Sequence, residues 1–169
     1  IKESMEQSYW LEYIPKQKDF YFDHVSKTLA SNKNVYVIVS DALRYEVAKE
    51  LESTIKSELK SQTSIHSMQG IFPTITKLGM AALLPHDELK LESDLEITLD
   101  GAACNDLVSR NKVLLKRGKQ AHSMSSKQFV DLKRQDRSNL LKDKEVVYLY
   151  HDVIDAVGDH LASEKDTFK

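Results

Sequence analysis

The spacing of apolar residues changes several times along this chain, and each change predicts an element. Val35-Tyr36-Val37-Ile38-Val39 is a continuous apolar run, mostly β-branched. Such a run reads as a strand buried on both faces, as in the middle of a parallel sheet. Directly after Ser40-Asp41 the period lengthens. Leu43, Val47 and Leu51 recur every four residues with Ala48 beside them, which is the apolar stripe of a helix over 42–59. The stretch is therefore strand, tight turn, helix, with an acid at the strand's carboxyl end. Upstream, 16–30 reads as a helix with Phe20, His24 or Val25, and Leu29 on one side, and Ser31-Asn32-Lys33-Asn34 as a turn. Before it lies a mixed segment with Tyr9, Trp10, Tyr13 and Ile14 as apolar points, ended by Pro15.

Downstream, 63–72 alternates imperfectly and predicts a second strand. Leu78, Met80, Ala81, Ala82, Leu83 and Leu84 form a short helix stopped by Pro85; being apolar nearly all round, it should be buried. Residues 89–101 predict one or two short strands closed by Asp100-Gly101, a strong turn signal. Helices follow over 106–115 and 126–141, and Glu145-Val146-Val147-Tyr148-Leu149-Tyr150 is the last clear strand. Strands alternating with helices imply an α/β fold with a mostly parallel sheet flanked by helices.

The totals fit that class. The chain has 169 residues, 41% of them hydrophobic and 30% charged, with net charge -2. This suits one α/β domain or a piece of a larger one. The balance gives no basic field able to hold nucleic acid by charge alone. Basic residues cluster locally at Lys116-Arg117-Gly118-Lys119 and Lys133-Arg134, a pattern usual for solvated helix ends. The single cysteine, Cys104, excludes an internal disulfide and fits a reducing, cytoplasmic setting. No apolar run approaches the ~20 residues that span a bilayer. A chain opening on Ile1 rather than methionine reads as a piece of a longer protein.

Three places share one design, an apolar strand, then a polar residue, then a helix start. They carry Asp41, Thr74 and Thr76, and Asp155 and Asp159. Parallel strands would bring all three to one edge, the edge where open α/β sheets bind ligands. Each also has a purely structural reading. Asp41, Thr74 and Thr76 could cap helices, and Asp155 and Asp159, four apart, could be a solvated helical pair. Together the carboxylates would repel unless a cation sat among them. A metal would also activate a threonine hydroxyl, a poor nucleophile by itself, and a helix amino terminus would offer amides to a phosphate. The chemistry indicated is metal-assisted attack on a phosphoryl group.

Three motifs in order carry a resemblance. Val37-Ile38-Val39-Ser40-Asp41-Ala42-Leu43-Arg44-Tyr45-Glu46, Phe72-Pro73-Thr74-Ile75-Thr76-Lys77-Leu78-Gly79-Met80 and Tyr148-Leu149-Tyr150-His151-Asp152-Val153-Ile154-Asp155-Ala156-Val157-Gly158-Asp159 resemble the PglZ domain. That family belongs to the alkaline phosphatase superfamily and is associated with bacterial anti-phage systems of the BREX and Pgl type. The resemblance covers roughly 34–160 and divides the chain into a helical lead-in, 1–33, and the first part of a PglZ domain, 34–169. It implies an alkaline-phosphatase-like core with a two-metal site, usually zinc, with manganese or magnesium as other oxygen-accepting choices. By similarity Asp41 ligates one metal, Thr76 is the nucleophile with Thr74 as fallback, and Asp155 and Asp159 hold the other metal. Two metals would clamp the attacking and leaving oxygens. Arg44 could hold a phosphate or pair with a helical acid, and His151 lies close to the site in sequence. Other phage-defence proteins are the implied partners and a phosphate ester the implied substrate.

One departure matters. The superfamily pattern needs a later strand ending in Asp-His-Gly, whereas this chain has only Asp23-His24 and Asp159-His160. The ligand set is short, so the core is expected to be incomplete and the piece weak in metal binding and catalysis. The competing expectation is a non-catalytic interaction module that keeps the fold. A receiver-like or nucleotide-binding domain is the third reading, without Gly-x-Gly-x-x-Gly or Gly-x-x-x-x-Gly-Lys-[Ser/Thr] to support it.

Overall fold

The computed structural model describes residues 10–118 and 120–160, with side chains as far as residue 157. The expected apolar point at Tyr9 and the Lys119 of the basic cluster lie outside these residues. Strands β1 (Val35–Ser40), β2 (Leu89–Leu91), β3 (Ile97–Leu99), β4 (Ala102–Ala103), β5 (Ala121–Ser125) and β6 (Val146–His151) are interspersed with helices. These are α1 (Lys27–Leu29), α2 (Tyr45–Leu59), α3 (Thr76–Ala82), α4 (Leu107–Arg117), α5 (Ser126–Asp131), α6 (Arg134–Lys142) and α7 (Val153–His160). One sheet has the order β1-β6-β5. It is parallel throughout: β5 and β6 pair from Ala121↔Val146 to Ser125↔Tyr150, and β1 joins β6 in the same sense through Val35 N–H to Glu145 O at 2.7 Å and Asp41 N–H to His151 O at 2.9 Å. A second sheet, β2-β3-β4, is antiparallel. Its β3–β4 turn places Asp100 at φ 49° and Gly101 at φ 74°, two left-handed residues as a tight hairpin requires. The α/β class expected from the sequence is what forms.

The central strand differs from expectation. β6, not β1, sits in the middle, and its Val146 to Tyr150 are all buried. In β1, Val37 is buried while Tyr36 and Ile38 are 51% and 66% exposed. An apolar run shows that both faces of a strand avoid water, not what covers them; among the described strands β1 has a neighbour on one side only. The α2 stripe behaves alike, with Val47 and Leu51 about half exposed and no α2 residue buried. By contrast the apolar helix around α3 is buried as expected, through Leu78, Ala81, Ala82 and Leu84.

Four further elements correct the sequence reading. Residues 63–72 form no strand: they make one bridge, Lys16↔Gln69. Gln69 spends its N–H on Pro15 O at 2.7 Å and its carbonyl on Gln17 N–H at 2.9 Å, and no ladder extends from there. β5, sequence Ala121-His122-Ser123-Met124-Ser125, is a strand that apolar periodicity hides. Its buried Ser123 is satisfied because the Asn111 carboxamide oxygen accepts from Ser123 N–H at 2.8 Å and from its hydroxyl at 3.3 Å. The expected helix over 126–141 is two, because Leu132 and Lys133 are extended (ψ 143° and 155°). The expected helix over 16–30 is a 3₁₀ turn (Gln17–Asp19), a π turn (Tyr21–Ser26) and α1, and of the two inward choices Val25 is the buried one. No helix among the described residues is long and apolar enough to cross a membrane.

The chain divides into two compact units. One holds Met68–Tyr150 with the segment up to Val39; the other holds Ser40–Ser67 and the segment from His151. The core of the first gathers Tyr21, Val25, Leu78, Leu84, Ile97, Leu99, Val113, Leu114, Val146 and Tyr148. Cys104 lies in it, fully buried, and burial pushes its thiol up to about 11, against a small opposite pull from Arg110. Unfolding releases the thiol to ionise near its ordinary value of 9.0, so the stabilisation is present below pH 9 and lost between 9 and 11. We expect roughly 2–3 kcal/mol to disappear across that window. Urea unfolding at stepped pH checks it: Cys104→Ala should flatten the slope between pH 9 and 10, below the onset of tyrosine ionisation.

Candidate active site at the strand ends

β1 and β6 finish side by side. The Asp41 N–H donates to the His151 carbonyl at 2.9 Å, and Ser40 Oγ lies 2.9 Å from His151 Nδ1. Asp41 follows at once, half-buried. It is not the cap of α2, a place taken by Arg44, whose side chain makes no cap bond. The Asp41 carboxylate instead accepts from the adjacent Ala42 N–H at 3.1 Å. Ala42 has φ 57°, a left-handed conformation that costs a non-glycine residue about 1–2 kcal/mol. Strain of this kind tends to gather at functional sites. Here it turns the chain sharply after Asp41.

Asp155 stands exposed in the first turn of α7. A first-turn acid is favourable toward the helix dipole, so its structural reading survives. Asp159 is four residues on in the same helix, on the same face by period; its side chain lies outside the described residues. Asp41, Asp155 and Asp159 all belong to the unit built from Ser40–Ser67 and the segment from His151. Arg44 belongs there too and is exposed.

Thr74 and Thr76 belong to the other unit. The Phe72–Pro73 peptide is cis, Ile75 N–H donates to Pro73 O at 2.8 Å, and Thr76 is the first residue of α3. The N-cap position is Ile75, with no side-chain cap bond. Both threonines are exposed, and neither serves as the cap, which removes the structural reading that competed for them. Thr76 is held in place from behind, because Leu78, Ala81 and Ala82 on the next turns are buried.

Sequence reasoning missed the residue that clamps this segment. The Gln17 side chain accepts from Ile71 N–H at 2.9 Å and donates to Gly79 O at 3.1 Å, so one amide grips the chain on both sides of Thr76. A lone glutamine among charged residues gives no signal of this. Gln17→Leu would leave two half-buried backbone groups unpaired, at about 2 kcal/mol together. For a chain of 169 residues that is a fall in Tm of roughly 4–8 °C, measurable by calorimetry.

Asp41 and Asp155 are oxygen donors suited to a divalent cation. Among the described residues, however, no group of three or more His, Cys, Asp or Glu side chains gathers closely enough to hold a metal ion.

Comparison with known proteins gives a consistent result. The model for the "BREX system PglZ alkaline phosphatase-like domain" matches residues 20–169. The chain is 39% identical over 172 residues to "Alkaline phosphatase-like protein BrxZ" of Escherichia coli O9:H4 (strain HS), covering 99% of this chain and 20% of that protein. It is 36% identical over 167 residues to "Alkaline phosphatase-like protein PglZ" of Bacillus cereus (strain H3081.97), covering 98% of this chain and 20% of that protein. The chain thus spans about a fifth of the length of the curated relatives it matches. No solved structure matches it.

Proposed function

Because the chain belongs to the family of BREX system PglZ alkaline phosphatase-like domains, we propose that it is the first part, residues 34–169, of a metal-dependent phosphatase or phosphodiesterase domain in a bacterial phage-defence protein, with 1–33 as a helical lead-in. The observation that carries this reading is the exposed Thr76 opening a buried helix without capping it. Thr76 is the nucleophile, with Thr74 in reserve, and Arg44 holds a phosphate oxygen. Asp41, Thr76, Asp155 and Asp159 are the groups that would hold divalent cations, two zinc ions or else manganese or magnesium, with further ligands from the rest of a longer polypeptide. Such cations, when bound, lower the pKa of a coordinated hydroxyl and neutralise charge on phosphorus. The substrate is a phosphate ester, and the partners are other proteins of the defence system in the cytoplasm. Nucleic acid is not called for by the charge, which is -2 overall.

A second reading is a non-catalytic module that binds other defence components; it accords with the finding that no three His, Cys, Asp or Glu side chains gather closely enough to hold a metal ion among the described residues. One experiment separates the two. A longer polypeptide containing this chain is stripped with chelator and assayed on p-nitrophenyl phosphate with zinc, manganese or magnesium restored. Hydrolysis that returns with metal and is lost in Asp41→Ala is the expected result. No hydrolysis with any of the three, together with partner pull-down unaffected by Asp41→Ala, favours the module.

A further inference from the structure

Ser40 is the last residue of β1 and His151 the last of β6, on adjacent strands. Their side chains meet at 2.9 Å between Ser40 Oγ and His151 Nδ1. The half-buried ring is also fixed through its own backbone, whose carbonyl accepts from Asp41 N–H at 2.9 Å. Nδ1 is therefore occupied, and the serine contact is the side-chain bond His151 makes among the described residues. A serine hydroxyl that donates to Nδ1 places the ring proton on Nε2, because the neutral imidazole carries one donor and one acceptor. The pair stands at the carboxyl ends of parallel strands, where α/β sheets receive ligands.

We propose that His151 is a substrate-binding donor for the phosphate ester: its Nε2–H donates to an oxygen of the phosphoryl group, and Ser40 is the positioning residue that aims the ring and fixes its tautomer. No bond is made or broken at the ring, and the proton stays on Nε2. The inference rests on the phosphoryl-transfer reading above. A ring N–H beside Asp41 can donate to a substrate oxygen, which a carboxylate, an acceptor only, cannot do.

The full chain, uniformly labelled with ¹⁵N, tests it. Ring correlations are expected to show His151 with hydrogen on Nε2, and inorganic phosphate is expected to shift that nitrogen in wild type and in Ser40→Thr, but several-fold less in Ser40→Ala. Hydrogen on Nδ1 overturns the proposal. So does an unmoved Nε2 at phosphate concentrations that shift the Thr76 amide, an outcome that leaves the parent reading standing. Phosphate that moves neither overturns the proposal, and the parent reading then stands or falls with the assay of the longer polypeptide. In the longer polypeptide, His151→Ala should lower kcat on p-nitrophenyl phosphate about a hundredfold. His151→Gln, whose amide can donate from nearby, should recover about tenfold of that. Equal losses in the two variants reduce His151 to a structural clasp, whereas full activity in Thr76→Ala removes Thr76 as the nucleophile and leaves the role of His151 standing.

Discussion

Thr76→Ala in the longer polypeptide is expected to abolish phosphate ester hydrolysis, by about a thousandfold or more, while leaving the fold untouched. The two halves of that statement come from different observations. Loss of turnover follows from the proposed role: without the hydroxyl no covalent phosphoryl intermediate forms, and removal of a nucleophile typically costs orders of magnitude in kcat. Preservation of the fold follows from the geometry. The side chain is exposed and caps nothing, and alanine is a better helix former than threonine, so Tm should stay within about a degree or rise slightly. Thr76→Ser should keep a substantial part of the rate, because the hydroxyl is retained. Thr74→Ala should keep most of it if Thr76 is the attacking group. A variant series with unchanged circular dichroism and Tm but the same rate for Thr76→Ala and wild type would remove the nucleophile.

That separation is possible because the segment carrying Thr76 is anchored from behind rather than through the threonine itself. Leu78, Ala81 and Ala82 tie α3 into the core, and Gln17 holds Ile71 and Gly79. The apolar half of this arrangement was legible in the sequence, since a short helix apolar on nearly every side has to be buried. The polar half was not. A clamp between a glutamine and two backbone groups more than fifty residues away leaves no periodic trace, and neither does the Ser40–His151 contact between two strand ends.

The same contrast runs through the fold. β6 and the α3 helix were readable because burial on several sides leaves continuous apolar runs, and β1 because its run is apolar although Tyr36 and Ile38 are exposed. β5 was not readable, because its inward Ser123 is satisfied by Asn111 rather than replaced by an apolar residue. The 63–72 segment imitated a strand through a loose alternation, although its backbone makes a single bridge. The centre of the sheet was misassigned for a physical reason. Hydrophobic pattern reports a need for cover, and β1 carries that need on Tyr36 and Ile38 without a described neighbour to meet it. Asp41 was located correctly as the residue after a strand, and the left-handed Ala42 beside it is information only the backbone holds. The acids and the threonines fall in separate compact units, so the motif order in the sequence remains the basis for assigning them to one site.

Tyr148 carries the largest expected effect on stability. It is fully buried on the central strand, and its hydroxyl donates to Leu83 O at 2.8 Å, at the C-terminal end of the helix that Thr76 opens. Burial raises its pKa well above the ordinary tyrosine range, as a phenol confined among apolar neighbours must be. Tyr148→Ala removes a whole ring from a position with no slack, at about 3–5 kcal/mol. Native domains have only about 5–15 kcal/mol in hand, so the variant should unfold at markedly lower urea and lose roughly 10 °C or more in Tm. Tyr148→Phe keeps the ring and strands the Leu83 carbonyl, which should cost about 1–2 kcal/mol. The difference between the two variants separates packing from hydrogen bonding. If the bond to Leu83 matters to α3 as well as to the core, Tyr148→Phe should speed amide exchange in the last turn of α3 more than in β5, which pairs with Tyr148's strand but has no part in the bond. Uniform acceleration across both elements would show that the hydroxyl serves the core as a whole and has no special hold on α3.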